Sequence, residues 1–186
     1  MRAFALSTAV IAGLANIAIA QEHRELGPHV HGAGTLKIAI EGDKVSMDFS
    51  APANDILGFE HQPSTPEQKK TLTAATESLG KPLTLFTLSA AAGCKTGSAN
   101  VVFNAAAPPA PGAAPAKDAD AEHEHEHADF DIDYVLTCTS AAKITAISFP
   151  YFKRFPGAQK LTVTVVSDRG QSEFDVTRAS PDHEIK

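Results

Sequence analysis

The residues best suited to chemistry in this chain are its histidines. Seven of the eight fall in three places: His23, His29 and His31 near the start, His61 further on, and His123, His125 and His127 in one short tract. Neutral imidazole is the commonest protein ligand for zinc and suits copper(II) as well. A tetrahedral zinc site is completed by further imidazoles, carboxylates or water. In His29-Val30-His31 the histidines are two residues apart. Alternate side chains of an extended chain point to one side, so both imidazoles can reach a single ion, and Gly32-Ala33-Gly34 leaves room for other ligands; the plainer reading is two solvated histidines near a terminus. Glu60-His61 adds a carboxylate and an imidazole. If folding carries His61 beside His29 and His31, three imidazoles converge, with Glu60, Asp55 or water for the fourth position.

The tract Glu122-His123-Glu124-His125-Glu126-His127 alternates acid and imidazole. Extended, it presents histidines on one face and glutamates on the other, offering many ligand subsets of similar energy. The carboxylates attract a cation, but they also favour protonated imidazole, and protons compete with metal. Such a tract captures a divalent ion readily and releases it readily. The plainer reading is a solvated charged loop.

Other chemistries lack their residues. No G-x-S-x-G, H-E-x-x-H or glycine-rich phosphate loop is present, and the expectation is a binding protein rather than an enzyme. A net charge of −6 gains nothing from releasing phosphate counterions, which argues against nucleic acid. Without tryptophan and with only two tyrosines, the chain offers no broad stacking platform for carbohydrate.

The segments that must position these side chains are themselves legible. Arg2, the small apolar run Ala3 to Ala20 and the motif Ala18-Ile19-Ala20 have the pattern of a cleaved signal peptide over 1–20. The mature chain then begins at Gln21, works in the periplasm and keeps no membrane segment. Cys94 and Cys138, an even pair in an exported chain, read as a disulfide. Closing a loop of about 44 residues stabilises the fold by roughly 4 kcal/mol on the chain-entropy estimate. Two ordered halves, 21–104 and 129–186, flank an insert over 105–128 that is rich in alanine and proline before it becomes the Glu/His tract. Such composition buries no core and predicts a disordered loop. The cysteines lie outside the insert and are expected to clamp its base.

Alternation over Thr35–Ile40 and Val45–Ser50 around Glu41-Gly42-Asp43 predicts a hairpin. Pro52 to Phe59 is short helix or irregular chain. Ser64-Thr65-Pro66-Glu67 opens a helix running Pro66 to Leu79 and stopping at Gly80, with Leu72, Ala75, Thr76 and Leu79 as its buried stripe. Ala99–Asn104, Asp129–Thr139 and Ile144–Phe149 read as strands. The last pair, Leu161–Val166 and Ser172–Thr177, is joined through Asp168-Arg169-Gly170. The aromatic run Tyr151 to Phe155 reads as packing, with Lys153 and Arg154 solvated. The expected class is α+β: about seven short strands, predominantly antiparallel, with one main helix. A β-sandwich fits the same pattern.

Several of these segments together resemble one family. They are His29-Val30-His31-Gly32 after a signal peptide, Leu57-Gly58-Phe59-Glu60-His61, Ala92-Gly93-Cys94, a His/Asp/Glu-rich insert, Ala128-Asp129-Phe130, and Phe152-Lys153-Arg154-Phe155-Pro156-Gly157. In that spaced combination the chain resembles the periplasmic zinc-binding proteins of the ZrgA type. The resemblance implies a zinc-responsive protein that binds zinc and assists its uptake alongside a zinc ABC importer; the expected oligomeric state is a monomer. It carries His29, His31, His61 and the insert histidines over as ligands. The insert departs from the family pattern, since only Glu122 to His127 keeps its acid-histidine character. A copper-tolerance protein using the same histidines, and a structural accessory subunit in which they are incidental, are the readings from other classes.

Overall fold

The computed structural model describes residues 30–105 and 128–185. The signal segment, His23, His29 and the Glu/His tract lie outside the described residues. The chain forms β1 (Ala33–Glu41), β2 (Lys44–Pro52), α1 (Ala53–Leu57), α2 (Pro66–Leu79), α3 (Pro82–Leu85), β3 (Thr87–Leu88) and β4 (Cys94–Asn104) before the insert. After it come β5 (Asp129–Cys138), β6 (Ala146–Ser148), α4 (Tyr151–Arg154), β7 (Lys160–Ser167), β8 (Gly170–Thr177) and β9 (Asp182–Glu184). Six strands make one mixed sheet in the order β4-β5-β2-β1-β7-β8, and β3-β6-β9 make a small antiparallel one. This is a strand-rich α+β fold, with nine strands among the described residues where about seven were expected.

Period-two patterning decides which face of the large sheet is buried. Leu36, Ile38, Val45, Met47, Phe49, Phe130, Ile132, Tyr134, Leu136, Leu161, Val163 and Val165 are all buried, while Lys37, Asp133 and Val166 on the opposite face are exposed. Against the buried face pack α2, α3, α4 and the small sheet. The aromatic residues supply much of the contact: Phe49 meets Phe86 and Tyr151 edge-on, each at 5.2 Å between ring centres. Tyr134 is buried, and its hydroxyl donates to the Leu79 carbonyl at 2.8 Å, tying β5 to the end of α2.

Local chemistry sets the element ends. At the start of α2, Thr65 Oγ1 accepts the Gln68 amide and Gln68 Oε1 accepts the Thr65 amide, both at 3.2 Å. This reciprocal cap satisfies donors that a helix terminus leaves open. Only Ala75 and Leu79 of the expected stripe are buried; Leu72 and Thr76 are half-exposed, because α2 meets the core mainly by its C-terminal end. Of the long-range pairings in the large sheet, β2 with β5 is antiparallel and β1 with β7 is parallel, with Leu36 opposite Val163. Gly34 permits that approach, since a Cβ there would lie 2.9 Å from both the Leu161 side chain and the Ser50 carbonyl.

The disulfide Cys94–Cys138 is present, but it does not clamp the insert. Cys94 and Cys138 face each other at one end of the β4–β5 hairpin, and Asn104 faces Asp129 at the other. The insert joins the hairpin at the Asn104–Asp129 end, roughly 30 Å away at the usual strand rise. About ten residues of extended strand carry each cysteine away from the insert, so closeness in sequence is not closeness in space here.

Candidate metal centre

His31 lies in the turn that leads into β1. The Ala33 amide donates to the Val30 carbonyl at 3.0 Å, and Gly32 adopts φ +83, a left-handed conformation that glycine adopts without steric cost. The turn is held from both sides. Asp55, on α1, accepts the Gly32 amide with both carboxylate oxygens, at 2.8 and 2.9 Å. The Gly32 carbonyl in turn accepts the amides of Gln159 and Lys160, each at 2.8 Å.

Asp55 is buried. Burial pushes its carboxyl above the usual carboxylate range; the Gly32 amide and the nearby His31 pull it back, and Glu60 adds to the rise. Asp55 is the residue that the sequence offers as an alternative fourth ligand, and its two oxygens fix the backbone beside His31.

The five-residue α1 ends at Gly58 with φ +80, which turns the chain into Phe59-Glu60-His61. Glu60 then reaches back to the turn, its Oε1 lying 2.7 Å from His31 Nε2, with the side chains 21% and 55% exposed respectively. An imidazole and a carboxylate thus meet at a partly open surface, anchored by a buried residue underneath. Zinc bound to both, at about 2.0–2.2 Å per ligand, requires those two atoms to stand about 3.3 Å apart in a tetrahedral site. Side-chain rotation supplies so small an opening, and it leaves positions for two further donors.

His61 faces elsewhere. Its Nδ1 donates to the Gln62 carbonyl at 2.9 Å, because a carbonyl can only accept, and this leaves Nε2 as the acceptor in the neutral ring. That nitrogen is 3.4 Å from Gln68 Nε2, and the ring lies 5.2 Å from Phe59. His61 is therefore exposed, with the lone pair of Nε2 directed toward the start of α2. Among the described residues no group of three or more His, Cys, Asp or Glu side chains is placed to share an ion. His29, His123, His125 and His127 lie outside the described residues.

Both ends of the insert are fixed at this same end of the molecule. The Ala128 carbonyl accepts the Ala53 amide at 2.7 Å, and the Ala105 carbonyl accepts the Gln62 side-chain amide at 3.2 Å. The Glu/His tract ends one residue before Ala128, so it is joined to the fold next to the helix that carries Asp55. That Ala105 and Ala128, the described ends of the insert, lie beside Gln62 and Ala53 is not readable from composition, since it depends on the β2–β5 register.

No curated protein matches this chain. A family model described as "ZrgA family zinc uptake protein" matches residues 28–185, a span that takes in the Val30–Ala33 turn, α1, Glu60, the insert and the closing hairpin. The chain belongs to the ZrgA family of zinc uptake proteins.

Proposed function

We propose that this protein captures zinc in the periplasm, after export through a cleaved signal peptide, and passes it toward a zinc ABC importer. It acts by binding and carries out no covalent step. His31 and Glu60 form the ordered part of the site, and His29, two residues earlier in the chain, supplies a third donor. His123, His125 and His127, with the glutamates between them, collect zinc by mass action and yield it to the ordered ligands. His61 stands beside the insert's base as a further donor for ions in transit. The single observation that carries this reading is the His31–Glu60 contact of 2.7 Å above a backbone turn held by Asp55. Ligands already held in place lose less freedom on binding than those of a tract, so the ordered site binds more tightly.

A crystal of the mature chain grown with zinc tests this directly. Anomalous scattering at the zinc edge should place an ion on His31 Nε2 and a Glu60 oxygen. An ion bound elsewhere, with this pair still in mutual contact, would contradict the assignment. The same measurement at the copper edge, with both metals present, decides between zinc and the copper alternative, allowing for copper's higher intrinsic affinity.

A further inference from the structure

The segment Phe152–Ala158 contributes none of the proposed ligands, yet it is bound tightly to the region that holds them. Arg178, just past the end of β8, directs its guanidinium into this segment. It donates to the carbonyls of Phe152 at 2.7 Å, Phe155 at 3.0 Å, Pro156 at 2.7 Å and Ala158. The Arg178 amide donates to the Gln159 carbonyl at 2.9 Å as well. Nη1 serves the Phe152 carbonyl and the two N–H groups of Nη2 are shared among the other three, so one rigid planar cation gathers four carbonyls from two nitrogens, a spread that the single nitrogen of a lysine ammonium lacks.

The gathered turn has two contacts with the metal region. Gly157 lies directly on α1: a Cβ at this position would fall 2.5 Å from the Asp55 carbonyl oxygen and 2.6 Å from its Cα, distances no side chain tolerates. Two residues further on, Gln159 and Lys160 donate their amides to the Gly32 carbonyl. The Gly32 turn therefore has one anchor, Asp55, whose backbone rests on Gly157, and a second anchor in the residues that follow Ala158. Both depend on the conformation Arg178 imposes.

We infer that Arg178 and Gly157 are positioning residues for the His31–Glu60 metal site, acting through the turn Phe152–Ala158. This rests on the reading of that pair as zinc ligands. The arrangement also gives the Phe-Lys-Arg-Phe-Pro-Gly motif a task beyond packing: its aromatic residues Phe152 and Phe155 are buried in the core, while its glycine presents bare backbone to Asp55.

The experiment is a zinc titration of the mature chain and of four variants, Gly157→Ala, Arg178→Gln, Arg178→Lys and His31→Ala, each checked for folding by circular dichroism and thermal melting. Groups that orient metal ligands without touching the ion typically contribute 10–100-fold to affinity. Folded Gly157→Ala and Arg178→Gln should accordingly lose at least about tenfold at the tight site, and Arg178→Lys should recover part of that loss. Hydrogen exchange at the Gly32 amide should quicken in the same order. A purely structural role would lower the melting temperature and leave the affinity of the folded protein unchanged, which overturns the inference. If Arg178→Gln does not fold, Gly157→Ala and Arg178→Lys decide between the same outcomes. Should His31→Ala itself leave the tight site intact, the ligand assignment fails; loss in His31→Ala alone, with folded positioning variants unaffected, refutes only the positioning role.

Discussion

Asp55 and Gly32, 23 residues apart in sequence, are joined by two hydrogen bonds from one amide to both oxygens of one buried carboxylate. This contact connects α1 to the turn before β1 and so fixes the distance between the two segments that carry Glu60 and His31. A carboxylate is withdrawn from water only at substantial cost unless it is hydrogen-bonded, and here the amide it accepts belongs to the residue next to the candidate ligand.

That burial has a measurable pH signature. The native Asp55 carboxyl holds its proton above the ordinary value of 3.8, so between the unfolded and native values the folded state binds more protons than the unfolded one. Its contribution to stability is fully present below the unfolded value and is lost as pH rises through the native one. Asn at this position keeps one acceptor for the Gly32 amide and does not titrate. Urea midpoints measured from pH 3.5 to 7, on the order of the range spanned by shifted carboxyls, should show the parent losing stability relative to Asp55→Asn as pH increases. A relative gain over that interval would contradict the assignment of Asp55 as a carboxyl raised by burial.

Tyr151 offers a second test of the same neighbourhood. Its ring is fully buried among Phe49, Phe152 and Phe155, and among the described residues its hydroxyl has no hydrogen-bond partner. Burial and the nearby Asp55 charge push the phenol well above its usual range. Removing an unsatisfied buried hydroxyl recovers its desolvation cost, so Tyr151→Phe should stabilise the protein by about 1 kcal/mol in chemical denaturation. A loss of similar size would reveal a hydrogen bond to that oxygen.

How much of this was readable in the sequence varies with the physics involved. The hairpin β1–β2, the start and stop of α2 and the final hairpin follow from local signals: alternation, a hydroxyl cap with proline, and glycine-containing turns. The five apolar residues from Phe130 to Cys138 share the buried face as their alternation requires. Non-local pairing was not legible, and the parallel contact of β1 with β7 has no local marker. The candidate site divides in the same way. His31 and Glu60 could be named as donors from residue type. The roles of Asp55, Gly157 and Arg178 depend on backbone groups brought together from four distant segments, for which an isolated arginine or glycine gives no specific signal.

Placement of the disulfide at the far end of the β4–β5 hairpin separates its role from that of the insert. Its 44-residue spacing predicts a loss of roughly 4 kcal/mol on reduction by the chain-entropy estimate. A Cys94→Ala/Cys138→Ala variant that still folds should bind zinc as the parent does, because Asn104–Asp129 pairing and the Ala128–Ala53 hydrogen bond hold the insert's base without it. Weakened zinc binding in that folded variant would show that the disulfide reaches the metal site after all.

The central claim is that His31 and Glu60 form the tighter zinc site and the Glu/His tract a weaker one, and calorimetric titration at neutral pH measures both together. Deleting Glu122 to His127 should remove the weaker class of sites and keep the tighter. The double variant His31→Ala/Glu60→Gln should do the reverse, with a loss of about a hundredfold or more at the tighter site, close to 3 kcal/mol. A folded double variant that retained the parent's tightest zinc affinity would contradict the account.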